Sequence, residues 1–149
     1  MTTAPPSPTA LRLDAEALNA FLARAFPHGG GAGLPKVTLA EPGRVQVVRP
    51  YDPSSLRPGG VISGPTLMAV ADTAAYALVL AHIGEVPMAV TTSLTMHFLR
   101  PTKPGDLTAE ASLLRLGRRI ATCDIRLWTE GPDRIAAHAT VAYAIPDSV

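Results

Sequence analysis

The sequence predicts an α+β fold in which one antiparallel sheet wraps around a single long helix. One observation is an Ala-rich helical segment that runs from about Pro65 to His82. Another is the switch to period-two alternation in the four segments that follow, which are joined by short turns. Antiparallel strands of this kind need one face covered, and the Ala-rich helix is the only element long enough to cover them.

A short helix and two short strands precede this core. Asp14 is a suitable N-cap for the short helix, which is predicted over Ala15 to Ala25. Lys36 to Arg49 then predicts two strands that are joined by a turn at Glu41-Pro42-Gly43. The residues from Pro50 to Gly60 are rich in proline, serine and glycine, and they predict a loop.

The long helix has a clear start and a clear end. Ser63 caps it, Pro65 suits its first turn, where a missing N–H costs nothing, and Gly84 ends it. Small residues on nearly all sides predict close packing over most of its surface. The strands that follow are predicted at Met88–Leu99, Leu107–Leu116, Ile120–Thr129 and Arg134–Ile145.

Period two on the first of these strands divides its side chains between two faces. One face is apolar and belongs on the covered side of the sheet, and the other is polar. The two sets are Val90, Leu94, Met96 and Phe98 against Thr91, Ser93, Thr95 and His97.

Composition and charge exclude several classes of function. The chain has 149 residues, which fits one domain, and its 13 Lys and Arg nearly balance its 12 Asp and Glu. This balance argues against a nucleic-acid binder that depends on bulk charge. The single cysteine, Cys123, forms no internal disulfide, and the histidines lack metal-ligand spacing. We therefore expect no metal ion and no bound cofactor.

The N-terminal residues do not look like part of the core. Residues 1–13, which are rich in proline, are expected to form a disordered tail, and residues 14–149 a single domain. The N-terminal residues contain no basic segment followed by an apolar run, so we expect no secretory signal. The longest apolar region, Leu67 to Ile83, contains Asp72 and falls short of the about 20 residues that a membrane span needs. We therefore expect a cytoplasmic protein without membrane contact.

Asp72 is the unusual residue of the long helix, because it lies among alanines. Burying an unpaired carboxylate is costly, so Asp72 needs a partner, an opening or a chemical purpose. A structural ion pair is one interpretation and catalysis is the other. Gly64 lies at the start of the same helix, where unpaired N–H groups are able to stabilise an oxyanion. The two residues are about 12 Å apart along a helix, which favours a site formed between two subunits.

Two stretches of the sequence resemble a known family. Residues 57–76, Arg-Pro-Gly-Gly-Val-Ile-Ser-Gly-Pro-Thr-Leu-Met-Ala-Val-Ala-Asp-Thr-Ala-Ala-Tyr, resemble the central-helix signature of hot-dog-fold acyl-CoA thioesterases of the phenylacetate-pathway group. Residues 91–101, which end in Phe-Leu-Arg-Pro, resemble a strand of that family, and residues 105–119 resemble its following hairpin. The resemblance covers most of the chain, from about Val45 to Ile145.

The resemblance implies a hot-dog fold that forms a homodimer through a continuous sheet, and often a homotetramer. It also implies that Asp72 is the catalytic carboxylate of an acyl-CoA thioesterase, either as general base on water or as nucleophile on the thioester carbon. The N–H of Gly64 from the partner subunit would polarise the thioester carbonyl. Coenzyme A enters such a reaction only as part of the substrate.

Two positions depart from the family pattern, because Ser63 stands in place of the usual histidine and Pro65 in place of the second glycine. Both lie beside Gly64 and are candidate substrate contacts, although Ser63 also suits simple helix capping. They favour an alternative function, a protein that binds acyl-CoA or an acyl carrier without hydrolysing it. A dehydratase of the same fold ranks last, because Ala77 stands where a histidine would be needed.

Five further residues are candidate substrate contacts. Met68 and Tyr76 lie one turn on either side of the carboxylate, where they line an acyl pocket or belong to the core or an interface. Thr92, on the following strand, is a third candidate. Arg118 and Arg119, in a hairpin loop, suit the phosphates of coenzyme A, although a solvated face is an equal alternative. The identity of the acyl chain, and of coenzyme A or acyl carrier protein as its carrier, stays open.

Overall fold

The computed structural model describes residues 10–28 and 34–147, and in these ranges the chain forms two α-helices and eight β-strands. The helices are α1 (Ala15–Ala25) and α2 (Gly64–Ile83). The strands are β1 (Lys36–Glu41), β2 (Arg44–Arg49), β3 (Leu56–Arg57), β4 (Val61–Ile62), β5 (Val90–Phe98), β6 (Leu107–Leu116), β7 (Ile120–Trp128) and β8 (Ala137–Ala144). The predicted disorder of residues 1–9 concerns positions outside the described ranges.

Six of these strands form one antiparallel sheet in the order β1-β2-β6-β7-β8-β5, and β3 and β4 form a small separate hairpin. α2 contacts every strand of the six-stranded sheet. The predicted architecture, an antiparallel sheet around one long helix, is therefore confirmed. In the described part of the chain, β1 and β5 are the two edges of this sheet.

Small side chains and two caps define α2. The Ser63 hydroxyl accepts a hydrogen bond from the N–H of Thr66 at 3.4 Å, so its predicted capping role is confirmed. Gly84 ends the helix with a φ of 91°, a value that suits glycine because it has no Cβ. Alanines bring the sheet close to the helix axis on several sides, and the fully buried ones are Ala71, Ala74, Ala75, Ala77 and Ala81.

By length and composition alone, the 20 residues of α2 are apolar enough to cross a membrane. The expectation that no apolar segment is long enough to span a membrane is wrong. The helix begins at Gly64 and not at Leu67, and its mean hydropathy stays high although it contains Asp72. The rest of the protein buries 67% of its most apolar stretch. In this structure α2 is therefore the core helix around which the sheet is built.

The packed part of the chain begins before the predicted boundary at residue 14. The N–H groups of Arg12 and Leu13 both donate to the carbonyl of Ala81, at 2.7 and 3.2 Å. The side chain of Leu11 packs against the core. Because the last carbonyls of a helix have no partner within the helix, these bonds complete the end of α2. Residues 11–13 therefore pack with the domain.

A β-bulge interrupts the alternation of β5. The register pairs Thr91 with Tyr143 but skips Thr92, so one extra residue is inserted there. Thr91 therefore lies on the same face as Leu94, toward α2, and Val90 lies on the opposite face with 49% of its surface exposed. The predicted faces of Val90 and Thr91 are wrong, because a period-two pattern contains no sign of an inserted residue.

His82 joins the turn between β1 and β2 to α2. Its side chain is buried, its Nδ1 lies 2.8 Å from the carbonyl oxygen of Leu78, and its Nε2 lies 3.0 Å from the backbone nitrogen of Gly43. A carbonyl only accepts and an amide N–H only donates, so the imidazole is neutral and carries its proton on Nδ1. This side chain therefore connects two elements that are far apart in sequence.

Candidate active site

Asp72 is half-buried on α2 and accepts hydrogen bonds from two hydroxyl groups of the sheet. Thr91 Oγ1 donates to its Oδ1 at 2.7 Å, and the Tyr143 hydroxyl donates to the same atom at 2.6 Å. Among the described residues, Asp72 forms no ion pair with a basic side chain of its own chain. The carboxylate is therefore held by two neutral donors of the sheet and not by a basic side chain.

The sheet determines where both donors lie. Thr91 and Tyr143 are opposite each other on β5 and β8, and the bulge at Thr92 turns the Thr91 side chain toward α2. Tyr143 is buried, and its ring stacks on that of Tyr76 with 5.7 Å between the ring centres. Burial, followed by the hydrogen bond to Asp72, raises the pKa of the Tyr143 phenol. The phenol therefore keeps its proton and acts as a donor.

A cavity of about 570 Å³ opens beside Asp72. Tyr76 forms one wall, with its hydroxyl donating to the carbonyl of Pro87 at 3.1 Å. Phe26 lies edge-on to the Tyr76 ring, with 6.2 Å between the ring centres. Most of the other lining side chains are apolar, so the volume and the lining suit a small organic group whose polar end reaches Asp72.

Only one of the three predicted contacts near Asp72 lines this cavity. Tyr76 does, as predicted, whereas Met68 and Thr92 are not among the lining residues. Met68 is 37% exposed on the outside of α2. Thr92 is the bulged residue, and its hydroxyl donates to the carbonyl of Ala142 at 3.3 Å. On β5 it is therefore Thr91, and not Thr92, that reaches the carboxylate.

Gly64 lines a second cavity, of about 790 Å³, at the start of α2. Pro65 and Phe98 lie in the same lining, together with two exposed arginines, Arg57 and Arg100. As the first residue of α2, Gly64 has a backbone N–H with no acceptor inside the helix. Two guanidinium groups and a helix N-terminus together favour the binding of an anion.

Three other predicted residues lie outside both cavities. Ser63 is not in either lining and uses its hydroxyl to cap α2. Arg118 is exposed at the tip of the hairpin between β6 and β7, and Arg119 forms an ion pair with Asp147 at 3.0 Å. The strand register places this tip at the end of the sheet that carries Tyr143.

Asp72 and Gly64 do not share a cavity in one chain. The two cavities have no lining residue in common, and about 12 Å of helix separates the two residues. β5 runs from one cavity to the other, with Thr91 at the first and Phe98 at the second. The two halves of the predicted site therefore lie at opposite ends of an edge strand.

Four polar residues that line these cavities were not singled out from the sequence: Thr91, Tyr143, Arg57 and Arg100. A signal for Tyr143 was present, because it alternates with Val141 on the covered face of β8 and a buried phenol needs a hydrogen-bond partner. The two arginines each precede a proline, which favours extended backbone at their positions, one in β3 and one just after β5. Thr91 had no signal, because its position depends on the bulge.

Other reactive groups lie away from Asp72. Cys123 is fully buried on β7, and burial raises the pKa of its thiol to about 12. Asp124 and His138 form a pair on the sheet face that points away from α2. Among residues 10–28 and 34–147, no group of three or more His, Cys, Asp and Glu side chains is arranged to hold a metal ion.

Comparison with known proteins identifies relatives of the whole fold. A family model described as the thioesterase superfamily matches residues 59–136. A protein from Silicibacter sp. TM1040, assigned as a thioesterase, has a solved structure that is 39% identical, with a TM-score of 0.82 over 91% of this chain and 94% of that one. A mutant structure of the phenylacetic acid degradation protein PaaI from Thermus thermophilus is 28% identical, with a TM-score of 0.66 over 75% and 93%. A protein from Saccharolobus solfataricus, assigned as an esterase, is 32% identical over 74% of this chain and 77% of its own.

Proposed function

This chain belongs to the thioesterase superfamily, and from that premise we propose that it is a cytoplasmic enzyme that hydrolyses acyl-CoA thioesters to the free acid and coenzyme A. The resemblance to hot-dog thioesterases is confirmed by the family match and by the shared fold. Relatives assigned as thioesterases or esterases indicate a hydrolase. Asp72 is the catalytic carboxylate in this proposal, and the reaction needs neither a metal ion nor a bound cofactor.

The observation that carries the proposal is the position of the two cavities at opposite ends of edge strand β5. If two copies of β5 pair antiparallel about a two-fold axis, the Phe98 end of one strand meets the Thr91 end of the other. Gly64 of the partner subunit then approaches Asp72, although the two are far apart within one chain. The active unit in this proposal is a homodimer, and a homotetramer would contain two of them.

The proposed reaction uses one carboxylate and one backbone N–H. Asp72 takes a proton from a water molecule while the water oxygen forms a bond to the thioester carbon. The carbonyl oxygen becomes an oxyanion, and the N–H of Gly64 from the partner subunit stabilises it. The tetrahedral intermediate then collapses, the C–S bond breaks, and coenzyme A leaves as a thiolate. The proton on Asp72 passes to the thiolate or to solvent, which restores the carboxylate.

Each cavity has a separate role in this proposal. The apolar cavity beside Tyr76 accepts the acyl group, because most of its lining side chains are apolar. The cavity beside Gly64 accepts the phosphate-bearing part of coenzyme A, because Arg57 and Arg100 line it. Arg118 and Arg119 remain proposed contacts for the same phosphates.

Mixing two inactive variants tests the shared site. In Asp72→Asn the base is lost, and in Gly64→Pro the N–H is lost at a helix position that tolerates proline. If the two chains are refolded together, mixed dimers contain one intact site, so about a quarter of the wild-type rate returns. Gly64→Ala is the matched control, because it keeps the N–H and its Cβ would lie 3.4 Å from the Phe98 ring, an ordinary contact.

Mass spectrometry establishes that the mixture contains mixed dimers. If mixed dimers are present and the mixture is still inactive, the site is not shared between subunits. The rate is measured as thiol released from a panel of straight-chain and aryl acyl-CoAs.

A single turnover in water labelled with oxygen-18 separates the two roles of the carboxylate. A general base puts the label into the acid at once, whereas a nucleophile first delivers unlabelled oxygen from Asp72.

A second candidate function is an acyl-CoA binding protein without turnover. Pro65 favours it, because this residue removes one N–H from the start of α2, where the oxyanion would lie. In that case calorimetry detects acyl-CoA binding by the wild type, and no member of the panel releases thiol. If thiol is released and the release is lost in Asp72→Asn, the protein is an enzyme and this second function is excluded.

A further inference from the structure

The site contains a feature that the hydrolysis proposal does not use, which is the pair of hydroxyl groups on one oxygen of Asp72. We infer that Tyr143 and Thr91 are positioning residues that hold the carboxylate through Oδ1 and leave Oδ2 as the atom that takes the proton from water. The inference rests on the proposed function. It assigns a separate task to each oxygen of the same side chain.

The contacts around Asp72 are unequal. Tyr143 and Thr91 both donate to Oδ1, at 2.6 and 2.7 Å, and among the described residues no donor contacts Oδ2. The Tyr143 hydroxyl also lies 3.1 Å from the backbone oxygen of Asp72. The phenol is therefore bound to the side chain and to the main chain of the same helical residue. This arrangement fixes the rotation of the carboxylate more firmly than one contact would.

Tyr143 is well suited to a fixed position. Only 3% of its surface is exposed, its ring stacks on Tyr76, and its backbone is paired with both β5 and β7. Thr91 is its direct partner across the sheet, so a single strand register brings both hydroxyls to one atom. A phenol that is fixed on three sides provides a rigid reference for the carboxylate.

The choice of neutral donors has a chemical consequence. A lysine or arginine at the same place would bring a positive charge next to the carboxylate. The two hydroxyls orient the group through hydrogen bonds without adding a charge. Because Oδ1 already accepts two hydrogen bonds, the oxygen with free lone pairs is Oδ2. Asp72 lines the cavity beside Tyr76, so this oxygen is available to a water molecule bound there.

The first test is removal of one hydroxyl at a time. Tyr143→Phe keeps the stacked ring, and we expect kcat to fall by about 10- to 100-fold with KM almost unchanged, because the base is present but misplaced. Thr91→Val is expected to lower kcat in the same way, and Thr91→Ser, which keeps the hydroxyl, is expected to restore most of it. Tyr51→Phe, at an exposed residue that lines neither cavity, is the control for the chemical change.

Tyr76→Phe separates positioning from packing. This variant removes the hydroxyl of the neighbouring stacked ring, which contacts the carbonyl of Pro87 and not Asp72. It is expected to change KM more than kcat, because it alters only the wall of the cavity. If Tyr143→Phe and Tyr76→Phe show the same pattern, the Tyr143 effect comes from packing and the inference is wrong.

A double variant tests that Tyr143 acts through Asp72. In the Asp72→Asn background, the added change Tyr143→Phe should lower the residual rate by less than about twofold, because there is no base left to position. A full additional loss would overturn the inference, and so would a Tyr143→Phe enzyme with wild-type kcat. Melting curves establish that each variant is folded. If Asp72→Asn itself keeps full activity, the proposed function fails, whereas an inactive Asp72→Asn beside a fully active Tyr143→Phe defeats only this inference.

Discussion

At the scale of single residues, the proposed function depends on one acidic side chain, Asp72, which lies among alanines on α2. Asp72 could be identified from the sequence because a carboxylate in an apolar helix is costly and needs a reason. Its partners were not predicted. Thr91 reaches it only through a bulge, and although the burial of Tyr143 could be predicted, its pairing with Asp72 depends on the position of the last strand. The sequence predicted Asp72 as the candidate acid and Ser63 as the helix cap. It predicted Thr92 as the contact on β5, whereas Thr91 is the residue that contacts Asp72.

The first residue-scale prediction concerns the acid itself. Asp72→Asn keeps the shape of the side chain and an oxygen that accepts from Thr91 and Tyr143, so the fold should persist. The proton acceptor is lost, and we expect kcat to fall by at least about 100-fold. Released thiol measures the rate, and circular dichroism measures the fold. A folded variant with wild-type turnover would exclude Asp72 as the base.

A second residue-scale prediction compares two groups of arginines. Arg100→Gln should raise KM for an acyl-CoA by about 10- to 150-fold without changing kcat, because a charged hydrogen bond to a phosphate is worth about 1.5–3 kcal/mol. The same variant should leave KM unchanged for the matching acyl-pantetheine, which has no phosphate. Arg118→Gln is the comparison. If it raises KM and Arg100→Gln does not, the hairpin loop binds the phosphates instead.

At the scale of elements, the chemistry of the ends explains why the helices were predicted well. Asp14 caps α1, and Ser63 and Gly84 delimit α2, as the sequence indicated. The hairpin of β3 and β4 was not predicted, because two-residue strands in a loop rich in proline and glycine show no period. Its turn depends on Gly59 and Gly60, whose φ values of 100° and 77° suit glycine.

The element-scale prediction concerns the connection that His82 makes between α2 and the first turn of the sheet. His82→Ala leaves the N–H of Gly43 without its buried acceptor, so we expect the free energy of unfolding to fall by about 1–3 kcal/mol. Urea denaturation at neutral pH measures the loss. His28→Ala, at an exposed site after α1 and away from β5, should change stability by less than about 0.5 kcal/mol. Equal effects of the two variants would contradict a structural role for His82.

At the scale of the whole molecule, the sequence predicted the layering and the separation of Asp72 from Gly64, but not the order of the strands. The alanine content of α2 and the alternation of the later strands were enough to place a sheet around a helix. The separation of Asp72 from Gly64 followed from helix geometry. The order of the strands could not be read from the sequence, because β5 and β8 are distant in sequence and pair at one side of the sheet. That order makes β5 an edge.

The prediction for the whole molecule is a loss of stability in alkali. Burial raises the pKa of Cys123 from 9.0 to about 12, so the folded thiol keeps its proton at a pH where the unfolded thiol has lost it. Below pH 9.0 both states are protonated and the stability is complete. Above it, the free energy of unfolding falls by up to about 1.4 kcal/mol per pH unit. Urea denaturation between about pH 8 and pH 10 should give a smaller slope for Cys123→Ala than for the wild type.

The cavity beside Asp72 is built from two kinds of wall. One wall belongs to α2 and β8, whose packing admits little change, because the alanines of α2 already hold the sheet at close range. The other wall comes from α1 and the residues after it, where Leu22, Phe26 and Leu34 contribute side chains. Substitutions of Leu22, Phe26 and Leu34 are therefore expected to change the volume of the cavity and to leave Asp72 and its two hydrogen-bond donors in place. We therefore expect related proteins that prefer different ligands to differ mainly before residue 35 and to differ least along α2.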